Sequence, residues 1–311
     1  MKKRVIVCIC GLILFFGLAG VTGIEAKRNM IVLSLDQTDE DGLLTFKEYP
    51  EKRFGPEDFV LLQEKDILIL DAVAKRIQRF TDGCLSQTVL LKDLQGQELF
   101  MEEAGGLIYV VTPEQVAEID LETDDVRFYS YPEGGDELGG LGICIYDVCS
   151  RQDQLVLIAG DYGNYTVDRE RGAIVPTELG YHAEINDSGM TGSEGENRWE
   201  VFAYNTSLEL LGYDEAHNLI VRAVNFAVGI NSPDYVSIRK YSPDGKILET
   251  AELDVSGRYN VPRRSVKMKD GVLYHLLPMK DRTIVEKIAL EAEWKLNTST
   301  SAGSSELWRN Q

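Results

Sequence analysis

With 311 residues, 44% hydrophobic and 27% charged, the chain is long enough for one large globular domain. Its net charge of −19 repels phosphate backbones and acidic lipid surfaces, which argues against nucleic-acid binding and leaves membrane contact to the N-terminal segment alone. A solvated acidic surface accounts for the charge; a cationic ligand is the sharper alternative.

Residues 1–26 carry the strongest local signal. Met1-Lys2-Lys3-Arg4 forms a positive n-region, residues 5–20 an uninterrupted apolar h-region, and Gly23 and Ala26 close two segments that a signal peptidase accepts. The apolar run 5–24 also suffices to cross a bilayer if it is retained. Either way, as signal peptide or as N-terminal anchor, the segment implies export to the outer face of the cytoplasmic membrane or beyond. Leu18-Ala19-Gly20 has the form of a lipobox, but Val21 stands where the lipidated Cys must be, so the chain is not a lipoprotein.

Residues 30–35 and 43–49 read as two strands around the acidic turn 36–42, a hairpin that supplies the outer half of a blade begun at the other end of the chain. Residues 37–48, QTDEDGLLTFKE, also align with an EF-hand calcium loop. Asp39 and Asp41 fall at loop positions 3 and 5, Gly42 at 6 and Glu48 at 12. Gln37 replaces the first Asp, and the β-branched run before the loop leaves no room for an entering helix. An acidic β-turn is the favoured reading, with calcium at Asp39, Asp41 and Glu48 as the alternative.

Residues 54–91 organise the rest. Four short apolar runs, 59–62, 67–70, 77–80 and 88–91, are each closed by a polar or Gly-containing turn, the signature of a small antiparallel sheet. Four strands in about 40 residues make one blade of a β-propeller. Gly55-Pro56 at the start, Asp71-Ala-Val-Ala-Lys-Arg-Ile-Gln-Arg-Phe80 after a strand and Asp82-Gly83 beyond resemble the NHL-type repeat of six-bladed propellers. Val73-Ala74 and Lys65-Asp66 depart from that pattern. An amphipathic helix over 71–80 is the competing local reading.

The second strand of this unit, 67–70, is echoed at 107–111, 155–158, 219–221 and 272–276. Third strands follow at 116–119, 165–167, 235–240 and 283–288, and fourth strands at 126–131, 174–179 and 247–253. Five blades are visible, and a sixth is completed by the N-terminal hairpin or by 180–211. Residues 180–197, rich in Gly and Ser, read as the longest loop of the domain, with Trp199 packing it down. Residues 297–311 read as a flexible tail.

Of five cysteines, Cys8 and Cys10 lie in the export segment, and an odd three remain, Cys84, Cys144 and Cys149, which excludes a complete disulfide framework. At strand rise Cys144 and Cys149 stand roughly 16 Å apart, so the three read as buried thiols. His275 reads as a satisfied strand residue; His182 and His217 border loops. The chain holds no His-Glu-x-x-His, no Cys-x-x-Cys, no Gly-x-Ser-x-Gly and no phosphate-binding glycine loop.

The expectation is an all-β, six-bladed β-propeller over residues 30–296, closed by the N-terminal hairpin. Its expected role is to bind a protein, peptide or glycan at the bacterial cell surface, without a cofactor. The alternative is a metal-dependent hydrolase or lactonase using Asp147, Asp161 and Asn225 at the mouth of the central channel.

Overall fold

The computed structural model describes residues 30–288 apart from 37–43, 49–52, 98–99, 133–144, 187–188, 195–196, 203–205, 215, 226–234, 256 and 261. Residues 1–26, expected to direct export, residues 297–311, expected to form a tail, and Asp39, Asp41 and Cys144 therefore lie outside the described residues.

Five four-stranded antiparallel sheets form the blades of a propeller. Blade 1 runs outward through Asp58–Gln63, Asp66–Asp71, Arg76–Thr81 and Cys84–Leu90, so residues 71–80 are a turn and a strand, with no helix. Blade 2 comprises Phe100–Ala104, Leu107–Val111, Gln115–Asp120 and Asp125–Ser130. Blade 3 comprises Asp147–Arg151, Gln154–Ile158, Asn164–Asp168 and Ala173–Thr177. Thr206–Tyr213, Leu219–Asn225, Tyr235–Tyr241 and Ile247–Leu253 make blade 4. Inner strands of blades 1 and 2, 2 and 3, 4 and 5, and 5 and 1 lie against one another.

Blade 5 takes three strands from the C-terminal part, Val266–Lys269, Val272–Pro278 and Arg282–Lys287, and its outermost strand, Met30–Asp36, from the N-terminal end. Met30 pairs with Lys287 and Asp36 with Arg282, which closes the ring without a free seam. The expected hairpin is thus half right. Only its first strand joins blade 5, because that sheet is complete at four strands. Beyond the gap, Lys47–Glu48 pairs instead with Arg53–Phe54, while Leu44 and Phe46 pack into the core between blades 5 and 1. Asp71 pins this crossing segment: its Oδ2 accepts from the Thr45 backbone N–H, the Thr45 hydroxyl and Arg76 Nε.

The apolar runs follow from the way blades stack. A second strand is covered on both faces, so its residues alternate between two neighbours rather than between core and water. Leu68 and Leu70 pack with Met101, Ile108 and Val110 of blade 2, while Ile67 and Ile69 pack with Leu276 and Val285 of blade 5. Every residue of Asp66–Asp71 is buried, whereas the outermost strand Cys84–Leu90 is mostly exposed. Tight turns of the type I′ family hold the ladders in register. Asp82 and Gly83 have φ of 49° and 81°, Asp270 and Gly271 of 50° and 70°, the left-handed pair such hairpins need.

Between blades 3 and 4 stands a three-stranded sheet, His182–Asn186, Gly189–Glu194 and Asn197–Phe202. The residues expected to form a long loop are strands. Met190, Trp199 and Val201 anchor this sheet, packing with Val156 and Ile158 of blade 3 and with Leu208, Leu210 and Val221 of blade 4. Cys149 is a free, half-buried thiol, and burial pushes its pKa up to about 12. Cys84 is exposed on the outer strand, contrary to the expectation of a buried thiol: an outermost strand has no further blade to cover it. His275 is buried, with Nδ1 3.4 Å from Glu286 Oε1, and burial holds its pKa below the usual value.

Candidate functional site

Two places gather polar side chains. The first is the centre of the ring. Asp58 opens the inner strand of blade 1, Glu102 lies in that of blade 2, Asp147 opens that of blade 3 and Glu209 lies in that of blade 4. Cations reach these acids from the segment leading into blade 5 (Arg264), from the inner strand of blade 5 (Lys267) and from the second strand of blade 4 (Arg222). Arg264 bonds Glu102 Oε2 at 2.8 Å and Glu209 Oε1 at 2.9 Å, and approaches Asp147 Oδ1 at 4.0 Å. Lys267 Nζ stands 3.2 Å from Asp58 Oδ1 and donates to the Met101 carbonyl at 2.6 Å. Arg222 donates to Glu209 Oε2 at 2.6 Å and to the Arg263 carbonyl at 2.9 Å. The Arg263 guanidinium lies 4.6 Å from the Phe100 ring centre.

Burial and charge compete within this cluster. Burial alone would raise Glu102 and Glu209, but Lys267 and Arg264 at the first, and Arg222 and Arg264 at the second, outweigh it and hold both carboxyls below the usual range. Burial wins at Asp58, whose pKa is raised despite Lys267. Asp147 is raised from 3.8 to about 6 by burial, with Arg264 opposing and Glu209 adding to the shift. Its Oδ1 accepts from the Val148 N–H at 2.8 Å, and its Oδ2 accepts from the buried Tyr181 hydroxyl. The cluster is therefore a lattice of ion pairs in which each acid already has a cation or a donor.

Of the three channel candidates, Asp147 alone is at this centre. Asp161 lies in the short 3-10 turn Gly160–Tyr162 after the second strand of blade 3, and Asn225 ends the second strand of blade 4, its backbone paired with Thr206 and Tyr235. Asp161 thus follows, and Asn225 ends, a second strand, one strand out from the inner strands. Glu48, from the calcium-loop reading, bonds Arg53 Nε at 3.0 Å on an exposed ribbon. Among the described residues no group of three or more His, Cys, Asp or Glu is arranged to hold a metal ion. The sequence reading missed Asp58, Glu102, Glu209, Arg222, Arg264 and Lys267. One signal was present: Arg263-Arg264-Ser-Val-Lys267, a dense basic patch in a strongly acidic chain.

The second place is a groove of about 980 Å3 bordered by the three-stranded sheet, the turn at Gly160 and Gly163, and the turn at Pro243 and Asp244. Residues directly opposite in antiparallel strands share a face, with Cβ atoms about 5 Å apart. Register thus places His182, Ser193 and Arg198 in one row, and Thr191 and Glu200 in the next. Arg198 and Glu200 are exposed, while Trp199 between them turns into the core, where its ring centre lies 6.2 Å from that of Tyr181. Gly192 faces Trp199 across the strands, and a Cβ there would lie 2.3 Å from the indole. The glycines of this stretch, which suggest a loop, let the indole pack flush against strand backbone. Among the described residues the side chains of His182, Ser193 and Arg198 have no hydrogen-bond or ion-pair partner, and all three line the groove, so the row is open to a ligand.

Sheets radiating from a centre and closed by the N-terminal strand make the chain a β-propeller. No family model and no curated protein matches it. Among solved structures it is similar to virginiamycin B lyase from Staphylococcus aureus, with 11% identity, 83% of this chain and 98% of that one covered, and a TM-score of 0.49. A member of the DUF4221 family from Bacteroides vulgatus shares 8% identity over 84% of this chain and 97% of its own, with a TM-score of 0.47. The extracellular domain of a one-component system from B. thetaiotaomicron shares 11% identity over 86% of this chain but only 39% of its own, with a TM-score of 0.39. Similarities this distant carry neither residues nor activity across.

Proposed function

We propose that this chain is an exported propeller of the bacterial cell surface that works as a binding module, taking a protein, peptide or glycan in the groove beside the three-stranded sheet. Its export rests on the sequence of residues 1–26. In the same reading, the three-stranded sheet is an incomplete sixth blade, in keeping with the NHL-type resemblance, since it packs between blades 3 and 4 through Met190, Trp199 and Val201. One observation carries the proposal: the acids of the channel are taken up by Arg222, Arg264 and Lys267, whereas the polar row in the groove is open.

The hydrolase or lactonase alternative needs carboxylates free to hold a divalent metal. Asp58, Glu102, Asp147 and Glu209 surround Arg264 instead, and a cation in that position competes with a metal for the same oxygens. Two variants of the full chain separate the readings. Ser193→Trp fills the groove and is expected to abolish ligand capture from cell-envelope extracts, while Asp147→Asn leaves capture intact. Ester or lactone turnover lost in Asp147→Asn would overturn the binding reading in favour of the enzyme.

A further inference from the structure

Resting on that reading of the groove, we infer that its ligand is a short peptide with free termini, its carboxylate held by Arg198, Ser193 and His182 and its ammonium by Glu200 and Asp244. The argument starts from charge. Arg198 places a guanidinium, the donor best suited to a planar carboxylate, beside a hydroxyl and an imidazole in one cross-strand row. Two residues further along the same strand and on the same face stands Glu200, and Asp244 lines the groove with it.

Residues i and i+2 of a strand lie about 7 Å apart. An extended peptide spans at most about 3.6 Å per residue, so its two terminal charges are about 7 Å apart in a dipeptide and about 11 Å apart in a tripeptide. The first matches the Arg198–Glu200 spacing, and Asp244 on another wall offers the ammonium a second partner. A groove of about 980 Å3 accommodates either length with side chains of ordinary size.

Other ligand classes leave charges uncompensated. A neutral saccharide gives Arg198 no counter-charge. A uronate chain or a phosphate polymer meets Glu200, Asp244 and the field of a chain with net charge −19. Only a ligand bearing both signs, a few ångströms apart, satisfies both rows. Thr191 and Ser193 hydroxyls then remain for peptide N–H and C=O groups, which the sheet face presents without any need for a particular sequence.

The test is calorimetric titration of the full chain in mild detergent with four probes: trialanine, trialanine amide, N-acetyl-trialanine and trigalacturonate. Trialanine is expected to saturate one site. Amidation, or Arg198→Gln, is expected to weaken it tenfold or more, with partial recovery in Arg198→Lys. N-acetylation and Glu200→Gln are expected to weaken it severalfold. Failure of trialanine to bind, equal binding of the amide, or binding of trigalacturonate in its place overturns the assignment. Ser193→Trp separates this failure from that of the groove itself. If envelope capture is lost in Ser193→Trp while trialanine does not bind, the groove stands and the peptide falls; if capture survives, both fall.

Discussion

Arg264 and Asp147 stand 4.0 Å apart at the centre of the ring, close enough to attract but too far for a hydrogen bond. The same guanidinium reaches Glu102 and Glu209 at 2.8 and 2.9 Å. One cation thus serves three blades unequally, and of Glu102, Asp147 and Glu209 the one it serves least is the one whose pKa is raised. Asp147 compensates through Tyr181, the residue that leads into the three-stranded sheet, and so links the centre of the propeller to the strands beside the groove.

Asp147 should give the protein an acid-favoured component of stability. Its pKa rises from 3.8 unfolded to about 6 folded, so the folded state binds the proton more tightly. Its contribution is therefore present below pH 4 and is lost as pH rises from about 4 to about 6. A shift of about 2 units corresponds to about 3 kcal/mol. In Asp147→Asn the stability difference from wild type should move by that amount, in favour of the variant, across this window. Urea unfolding at half-unit steps of pH measures it. A difference that stays flat from pH 4 to 7 would mean that Asp147 is solvated.

Removing Arg264 acts in the opposite sense. Arg264→Met keeps much of the volume but strips Glu102, Glu209 and Asp147 of their shared partner, and buried charges left unpaired cost about 3–5 kcal/mol. Glu102 and Glu209 have depressed pKa values, so their contribution is present above the unfolded value of 4.5 and lost as pH falls through the folded one. The penalty in Arg264→Met should accordingly shrink at pH 4 relative to pH 7. A loss below about 1 kcal/mol at pH 7 would show that water reaches these carboxylates.

Ring closure depends on a strand brought from the other end of the chain. Leu33 and Leu35 are each 2% exposed and pack with Phe59, Leu276 and Val285. Leu35→Ala should cost about 2–5 kcal/mol, as for other buried leucines. Hydrogen exchange should locate the loss in blade 5 and the facing side of blade 1, since it opens the seam between them. Exchange accelerated equally in blades 2 and 3 would mean that the ring unfolds as one unit.

The blades were legible in the sequence because stacking writes a strong pattern. Ile67-Leu-Ile-Leu70 is a continuous apolar run only because both of its faces meet a neighbouring blade, and the echoes at 107–111, 155–158, 219–221 and 272–276 are second strands for the same reason. The centre of the ring was not legible. Asp58 and Asp147 both begin inner strands and both accept the next backbone N–H, yet each is one acid among 51, and register across blades brings them together. The three-stranded sheet was hidden by its own packing, since Gly189, Gly192 and Ser193 have the composition of a turn. There, absence of a side chain is what the neighbouring indole requires.

That requirement gives the last prediction. A Cβ on Gly192 would meet Trp199 Cη2 and Cζ2 at 2.3 Å and the His182 carbonyl oxygen at 2.5 Å. The carbonyl belongs to the paired strand and cannot move away alone, so the indole and the sheet must both shift. Overpacking of this kind costs about 1–3 kcal/mol. Trp199 is buried against Met190, Val201 and Tyr181, so Gly192→Ala should also redden its fluorescence as the ring is pushed toward water. Because Arg198 and Glu200 flank Trp199 on the same strand, the shift should carry them with it and weaken groove binding in parallel. A blue or unchanged emission with normal stability would mean that the strands part enough to take the methyl group, and that Gly192 is not what seats the indole.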